Sequence, residues 1–169
     1  MFDITMAENI LVDQNAPKAL KYEQLIPQIK ALIGDEKRAV SVLSNTAAAI
    51  HQAFDLLWTG FYLKDDDVLY LGPFQGPVAC MRINVGNGVC GTAMAKNETI
   101  VVPDVDQFPG HIACSTLSKS EIVVPIRNEA GEVFAVLDLD SATLSNFDQV
   151  DRDYLEQICD WLGGYIFSE

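Results

Sequence analysis

No two of the four cysteines lie close together: Cys80, Cys90, Cys114 and Cys159 follow one another at gaps of 10, 24 and 45 positions. A structural zinc site usually contains a C-x₂₋₄-C pair, so this spacing gives no reason to expect a metal. No apolar run approaches the roughly 20 residues that a membrane span needs. Basic residues are scarce, 11 against 24 acidic ones, and the formal net charge is −13. Such a surface repels phosphate, and no Lys/Arg stripe interrupts it. Nucleic-acid binding and docking on anionic membranes are therefore not expected. The stretch Met1 to Glu8 is acidic and lacks the basic and apolar segments of a secretory signal, which makes the cytoplasm the expected compartment. In a reducing cytosol, cysteines without metal spacing are either inert core thiols or redox-active ones.

What is present suits one compact domain. The chain has 169 residues, 49% of them hydrophobic and 21% charged, enough to bury a core. Residues 1–17 read as an N-terminal arm and 18–169 as the domain. Helical spacing runs from Lys18 to Ile33, with a break or kink expected near Ile26 because Pro27 lies inside the run. Gly34 ends that run. A second helix is predicted over 35–51, with Val40, Leu43, Ala47 and Ile50 on its core face. The period then changes to two. Leu57–Leu63 and Val68–Phe74 read as a hairpin around Asp65-Asp66-Asp67. Met81–Ile83 and Thr99–Pro103 read as further strands, and a last amphipathic helix covers 148–167 with Cys159 among its core residues.

The chemistry concentrates between Cys80 and Ser141. Gly86-Asn87-Gly88 precedes an Ala-rich run, so a loop feeds a helix with Cys90 in its first turn. Backbone N–H groups there can hold an anion, and they are expected to lower the Cys90 thiol pKa. Asp104 to Lys119 form a polar loop of about 16 residues, a length more often functional than idle, and it carries Cys114. Its His111 is expected to be exposed and without a role. Two strands follow, 121–127 and 132–140. Alternation sets Asp138 and Asp140 on one face, with Leu137 and Leu139 on the other. With Glu121 on the neighbouring strand, three acids would crowd together and at least one would hold a proton. Trp58 and Tyr62 can wall a pocket for a thioether-like group.

Several segments together resemble a known family. They are Trp58-Thr59-Gly60-Phe61-Tyr62, Gly72-Pro73-Phe74-Gln75-Gly76, Gly86-Asn87-Gly88-Val89-Cys90-Gly91, the Phe108–Cys114 loop, Ser120–Pro125 and Leu137–Ser141. The chain is similar to the GAF-fold free methionine-(R)-sulfoxide reductases from about residue 18 to 167. The resemblance implies an α+β domain with a central antiparallel sheet, helices packed on one face and a ligand pocket on the other. It implies reduction of free methionine-(R)-sulfoxide, with a thioredoxin-like protein as reductant and no cofactor. Cys114 would attack the sulfoxide sulfur and become a sulfenic acid, which Cys80 would resolve. Cys90 would be a further recycling thiol, and the competitor in any Cys80–Cys114 pairing. Glu121, Asp138 and Asp140 would supply a proton and bind the substrate ammonium. The arm suggests a homodimer. Two other classes stay open: a small-molecule-sensing GAF domain without catalysis, and a thiol redox switch that uses the cysteines but not the acids.

Overall fold

The computed structural model describes residues 9–112 and 114–167. Helices α1 (Lys18–Ile33) and α2 (Ala39–Phe54) lead into strands β1 (Trp58–Asp65), β2 (Val68–Gln75) and β3 (Arg82–Asn84). Helix α3 (Gly88–Lys96) and strand β4 (Ile100–Val102) come next. A 3₁₀ turn at Val105–Gln107 opens the long loop, and β5 (Ser120–Arg127), β6 (Val133–Ser141) and α4 (Gln149–Phe167) complete the chain. The strands form one six-stranded sheet in the order β3-β2-β1-β6-β5-β4, and every neighbouring pair is antiparallel. The central pairing of β1 with β6 joins two hairpins that are distant in sequence.

Turn chemistry sets the hairpins. Asp65 pairs with Val68 across a two-residue turn, and Asp66 adopts φ +52° there, a left-handed conformation that aspartate tolerates. Between β5 and β6 the Asn128 carboxamide oxygen accepts from the Ala130 and Glu132 amides, an Asx turn that needs no further support.

Period-two alternation gives each central strand two buried faces. On one face, Phe61, Ile122, Val124, Ile126, Leu137 and Leu139 pack under α1, α2 and α4. Cys159 is fully buried in that layer, as its place on the apolar side of the last helix predicts. On the other face, Trp58, Tyr62, Val123 and Val136 meet Val89, Cys90, Ala93 and Met94. Helix α3 therefore lies on the opposite side of the sheet from the other helices, and it walls the space where the polar residues collect.

Two local expectations give way to packing. Helix α1 runs unbroken through Pro27. Proline costs a helix interior about 3 kcal/mol, but Tyr22, Leu25, Ile29 and Ile33 are buried on both sides of it, each worth about 1.5–3 kcal/mol. Pro27 itself faces solvent. In α2 the helix begins at Ala39 rather than near Asp35, and Val40 is 64% exposed while Leu43, Ala47 and Ile50 are buried. Val40 sits in the first turn of the helix. The described part of the arm runs against α1, where the Leu11 and Asp13 amides donate to the Gln28 and Gln24 side chains.

Candidate active site

The register of three strands builds the floor of a pocket. Asp140 on β6 pairs with Trp58 on β1 and with Glu121 on β5. Asp138, two residues earlier on the same face, pairs with Gly60 and Val123. Gly60 is glycine for a packing reason. A Cβ there would overlap the Trp58 indole and the Phe74 Cβ, so its absence lets the indole lie down across β1. Tyr62 stacks on Trp58 with ring centroids 5.9 Å apart, and Phe74 does so at 5.3 Å.

The same two aromatics hang the next wall. Trp58 Nε1 donates to the Pro77 carbonyl at 3.1 Å, and the Tyr62 hydroxyl donates to the Cys80 carbonyl at 2.9 Å. Residues 77–80 are thereby held over the sheet, and Cys80 forms a disulfide with Cys114, Cα to Cα 5.5 Å. Cys90, the competing partner, remains a free thiol. The long loop reaches this position through a turn written into its sequence. The His111 amide bonds the Phe108 carbonyl at 3.1 Å and Gly110 has φ +74°, the pattern of a type II turn with Pro109 and Gly110 at its centre. At the loop's far end the Ser118 hydroxyl donates to Asp140.

Helix α3 closes the third side. The Gly91 amide already bonds Asn87, and no side chain caps the helix start. The N–H groups of Gly88 to Cys90 thus belong to the unsatisfied first turn. Gly88, Val89 and Cys90 border the same cavity as Glu121, Asp138 and Asp140. Counted together with the open solvent at its mouth, the space between these residues is about 590 Å³.

The electrostatics follow from burial. Glu121 and Asp138 are each only 6% exposed. Burial first, and the neighbouring Asp140 second, hold both carboxyls well above the ordinary carboxylate range. Asp140 is displaced upward less, because the Ser118 hydroxyl and His111 offset its burial. With every acid ionised, Asp138 Oδ1 would be buried without a hydrogen-bond partner among the described residues, so a proton shared between Asp138 and Glu121 is the arrangement these surroundings favour. The Cys90 thiol donates to Asp138 Oδ2 at 3.3 Å. The expected lowering of its pKa is overturned. Complete burial, followed by the repulsion of Asp138 and Glu121, pushes the thiol well above its usual range, and this outweighs the helix terminus.

Carboxyls with higher pKa values in the folded than in the unfolded protein bind protons on folding. Their stabilisation is greatest near and below pH 4 and is lost as pH rises through the folded values. A tenfold change in proton affinity is worth about 1.4 kcal/mol. Asp138→Asn is therefore expected to raise the melting temperature at pH 7 and to flatten its decline between pH 5 and 8. Calorimetry across that interval checks this; an unchanged slope would show that the acids are ionised without penalty.

Seven of the eight residues singled out from the sequence line this pocket, Trp58, Tyr62, Cys90, Cys114, Glu121, Asp138 and Asp140, and the eighth, Cys80, is bonded to Cys114 beside it. Sequence reasoning missed two more. His111 is largely buried, its Nε2 3.4 Å from Glu121 Oε2, and the Phe-Pro-Gly-His turn was the signal that fixes its position. Ser118 had no local signal at all.

A GAF domain model matches residues 39–166 of the chain. GAF domain-containing protein A of Dictyostelium discoideum is 49% identical over 154 residues, 90% of this chain and 96% of that protein. The free methionine-R-sulfoxide reductase of Saccharomyces cerevisiae is 41% identical over 160 residues, 90% of this chain and 89% of that protein. Among solved structures, the free methionine-R-sulfoxide reductase of Neisseria meningitidis in complex with its substrate superposes with a TM-score of 0.91 at 47% identity, covering 95% of this chain and 96% of that one. An antiparallel sheet with a walled pocket, a disulfide at its mouth and relatives of this closeness lead to one assignment: the chain belongs to the GAF-domain family of free methionine-R-sulfoxide reductases.

Proposed function

We propose that the protein reduces free methionine-(R)-sulfoxide to methionine, using Cys114 as nucleophile. One observation carries the reading: the Cys80–Cys114 disulfide lies at the mouth of a pocket floored by buried, proton-holding carboxyls. In the reduced enzyme the Cys114 thiolate attacks the sulfoxide sulfur. The proton shared by Asp138 and Glu121 goes to the sulfoxide oxygen as the S–O bond weakens. The oxygen passes to Cys114 as a sulfenic acid, and methionine leaves. The Cys80 thiol then attacks the sulfenic sulfur, water departs, and the disulfide seen in the structure forms. One sulfoxide and two thiols thus give methionine, a disulfide and water.

The substrate's fixed groups have matching partners. The Trp58 and Tyr62 rings suit the S-methyl end, since sulfur packs well at aromatic edges. Asp140, the acid displaced least upward, suits the α-ammonium, and the open first turn of α3 suits the α-carboxylate. The family resemblance implies a further recycling role for Cys90. Its burial and its bond to Asp138 support a part in positioning that carboxyl instead.

A thioredoxin-like dithiol protein would restore the thiols. Val78 and Met81, 88% and 77% exposed, flank Cys80, and Leu117, 60% exposed, follows Cys114. An apolar rim of this kind suits a protein that must bring its own thiol to the bridge. The direct test incubates the protein with free methionine-(R)-sulfoxide and dithiothreitol and measures methionine. No methionine, with peroxide consumption that survives Glu121→Gln and Asp138→Asn, would overturn the reading in favour of a redox switch.

A further inference from the structure

Spacing along the chain gives no metal site, but the tertiary structure assembles a set of ligands. Cys90 Sγ, a Glu121 oxygen and an Asp138 oxygen all lie within 4.8 Å of one another. Cys90 Sγ is 3.3 Å from Asp138 Oδ2. Ligands about 2.0–2.3 Å from a tetrahedral zinc ion stand roughly 3.5 Å apart, so the atoms reach bonding positions by closing on one another by up to about 1.3 Å. Asp138 is 6% exposed and its Oδ1 has no hydrogen-bond partner among the described residues. A buried carboxylate oxygen in that condition is open to a cation in place of the proton shared with Glu121.

We propose that the floor of the pocket binds zinc, or a cation of similar size and softness, through Cys90, Glu121 and Asp138. The fourth position opens into the cavity, where water completes the tetrahedron. Binding displaces the Cys90 thiol proton and any carboxyl proton to solvent. A thiolate in the set selects zinc or cobalt over magnesium and calcium, which prefer oxygen alone. Nearby groups are placed to orient the ligands: His111 Nε2 lies 3.4 Å from Glu121 Oε2, and Ser118 holds the adjacent Asp140. The ion would take the space given above to the proton shared by the two acids, and would crowd the ammonium beside it. Inhibition of the reductase by zinc therefore rests on the proposed function, whereas the binding itself does not.

The experiment uses cobalt(II) on the tag-free protein in its disulfide form. Cys80 and Cys114 are then locked, and the free thiols are Cys90 and Cys159. One equivalent of cobalt is expected to produce thiolate-to-cobalt absorption and tetrahedral d–d bands, which zinc abolishes. Cys90→Ser should remove the thiolate band, and Glu121→Gln should weaken cobalt binding by about 10-fold or more. Cys159→Ser should leave the spectrum unchanged. Cys90→Ala serves as a second variant, with circular dichroism showing that it folds. Absence of the thiolate band from the wild type, or its survival in the folded Cys90 variants, would overturn the proposal. In the reduced enzyme, zinc should raise the apparent KM for the sulfoxide and leave kcat unchanged. A cobalt spectrum as expected with no zinc effect on KM would keep the metal site and overturn the substrate placement instead.

Discussion

Cys114→Ser is expected to lose turnover altogether, by more than about 10⁴-fold, the scale seen when a covalent nucleophile is removed. The loss should extend to a single turnover, because without the Cys114 thiol no bond forms to the sulfoxide sulfur. Cys80→Ser separates attack from resolution. It should release one equivalent of methionine and then stop, with a sulfenic acid on Cys114 that dimedone traps. Cys159→Ser should keep full activity, since that thiol only fills the core beneath α4. Methionine release is measured over the first turnover without reductant, and the modified peptide is identified by mass spectrometry. One equivalent of methionine from Cys114→Ser would transfer the nucleophilic role to another thiol. Cys90 is a poor candidate for it, because burial among acids keeps it a thiol.

The second large effect concerns the size of the substrate. N-acetyl-methionine-(R)-sulfoxide amide is expected to react slower than the free amino acid by about 10³-fold or more. A free amino acid brings an ammonium to a site walled by Glu121, Asp138 and Asp140, and a carboxylate to the uncapped start of α3. Blocking both ends leaves buried polar groups facing groups that cannot pair with them, at about 1–3 kcal/mol for each neutral partner and more for charged ones. The loop carrying Cys114 adds a steric limit, because its His111, Ile112 and Ser115 line the same pocket. The measurement compares kcat/KM for the free (R) and (S) epimers and for the blocked (R) substrate. Similar values for the free and blocked (R) compounds would show that the pocket reads only the sulfoxide.

Much of this site was legible in one dimension, for a specific reason. Alternation in Leu137-Asp138-Leu139-Asp140 puts both aspartates on one face whatever the strand's neighbours are, and the spacing of Trp58 and Tyr62 does the same on β1. A long loop with a cysteine, entered through Pro109 and Gly110, marks itself as unusual without any partner being known. The misreadings were also local arguments. Pro27 was expected to break α1, and the start of α3 to activate Cys90; burial reversed both. His111 looked like a solvent-exposed loop residue until the turn at Gly110 aimed it at Glu121.

The sequence by itself determined the elements, the faces of the strands and the residue types available for chemistry, since period, turn residues and charge act between near neighbours in the chain. Only the tertiary structure decided that β1 pairs with β6, that Glu121 stands opposite Asp140, and that Cys80 rather than Cys90 bridges to Cys114. It also decided that Glu121 and Asp138 hold protons more tightly than free carboxyls do. A carboxyl's affinity for a proton depends on the water removed from around it and on charges a few ångströms away, and the chain brings those together from residues 48 and 22 positions apart, as in Cys90–Asp138 and Ser118–Asp140.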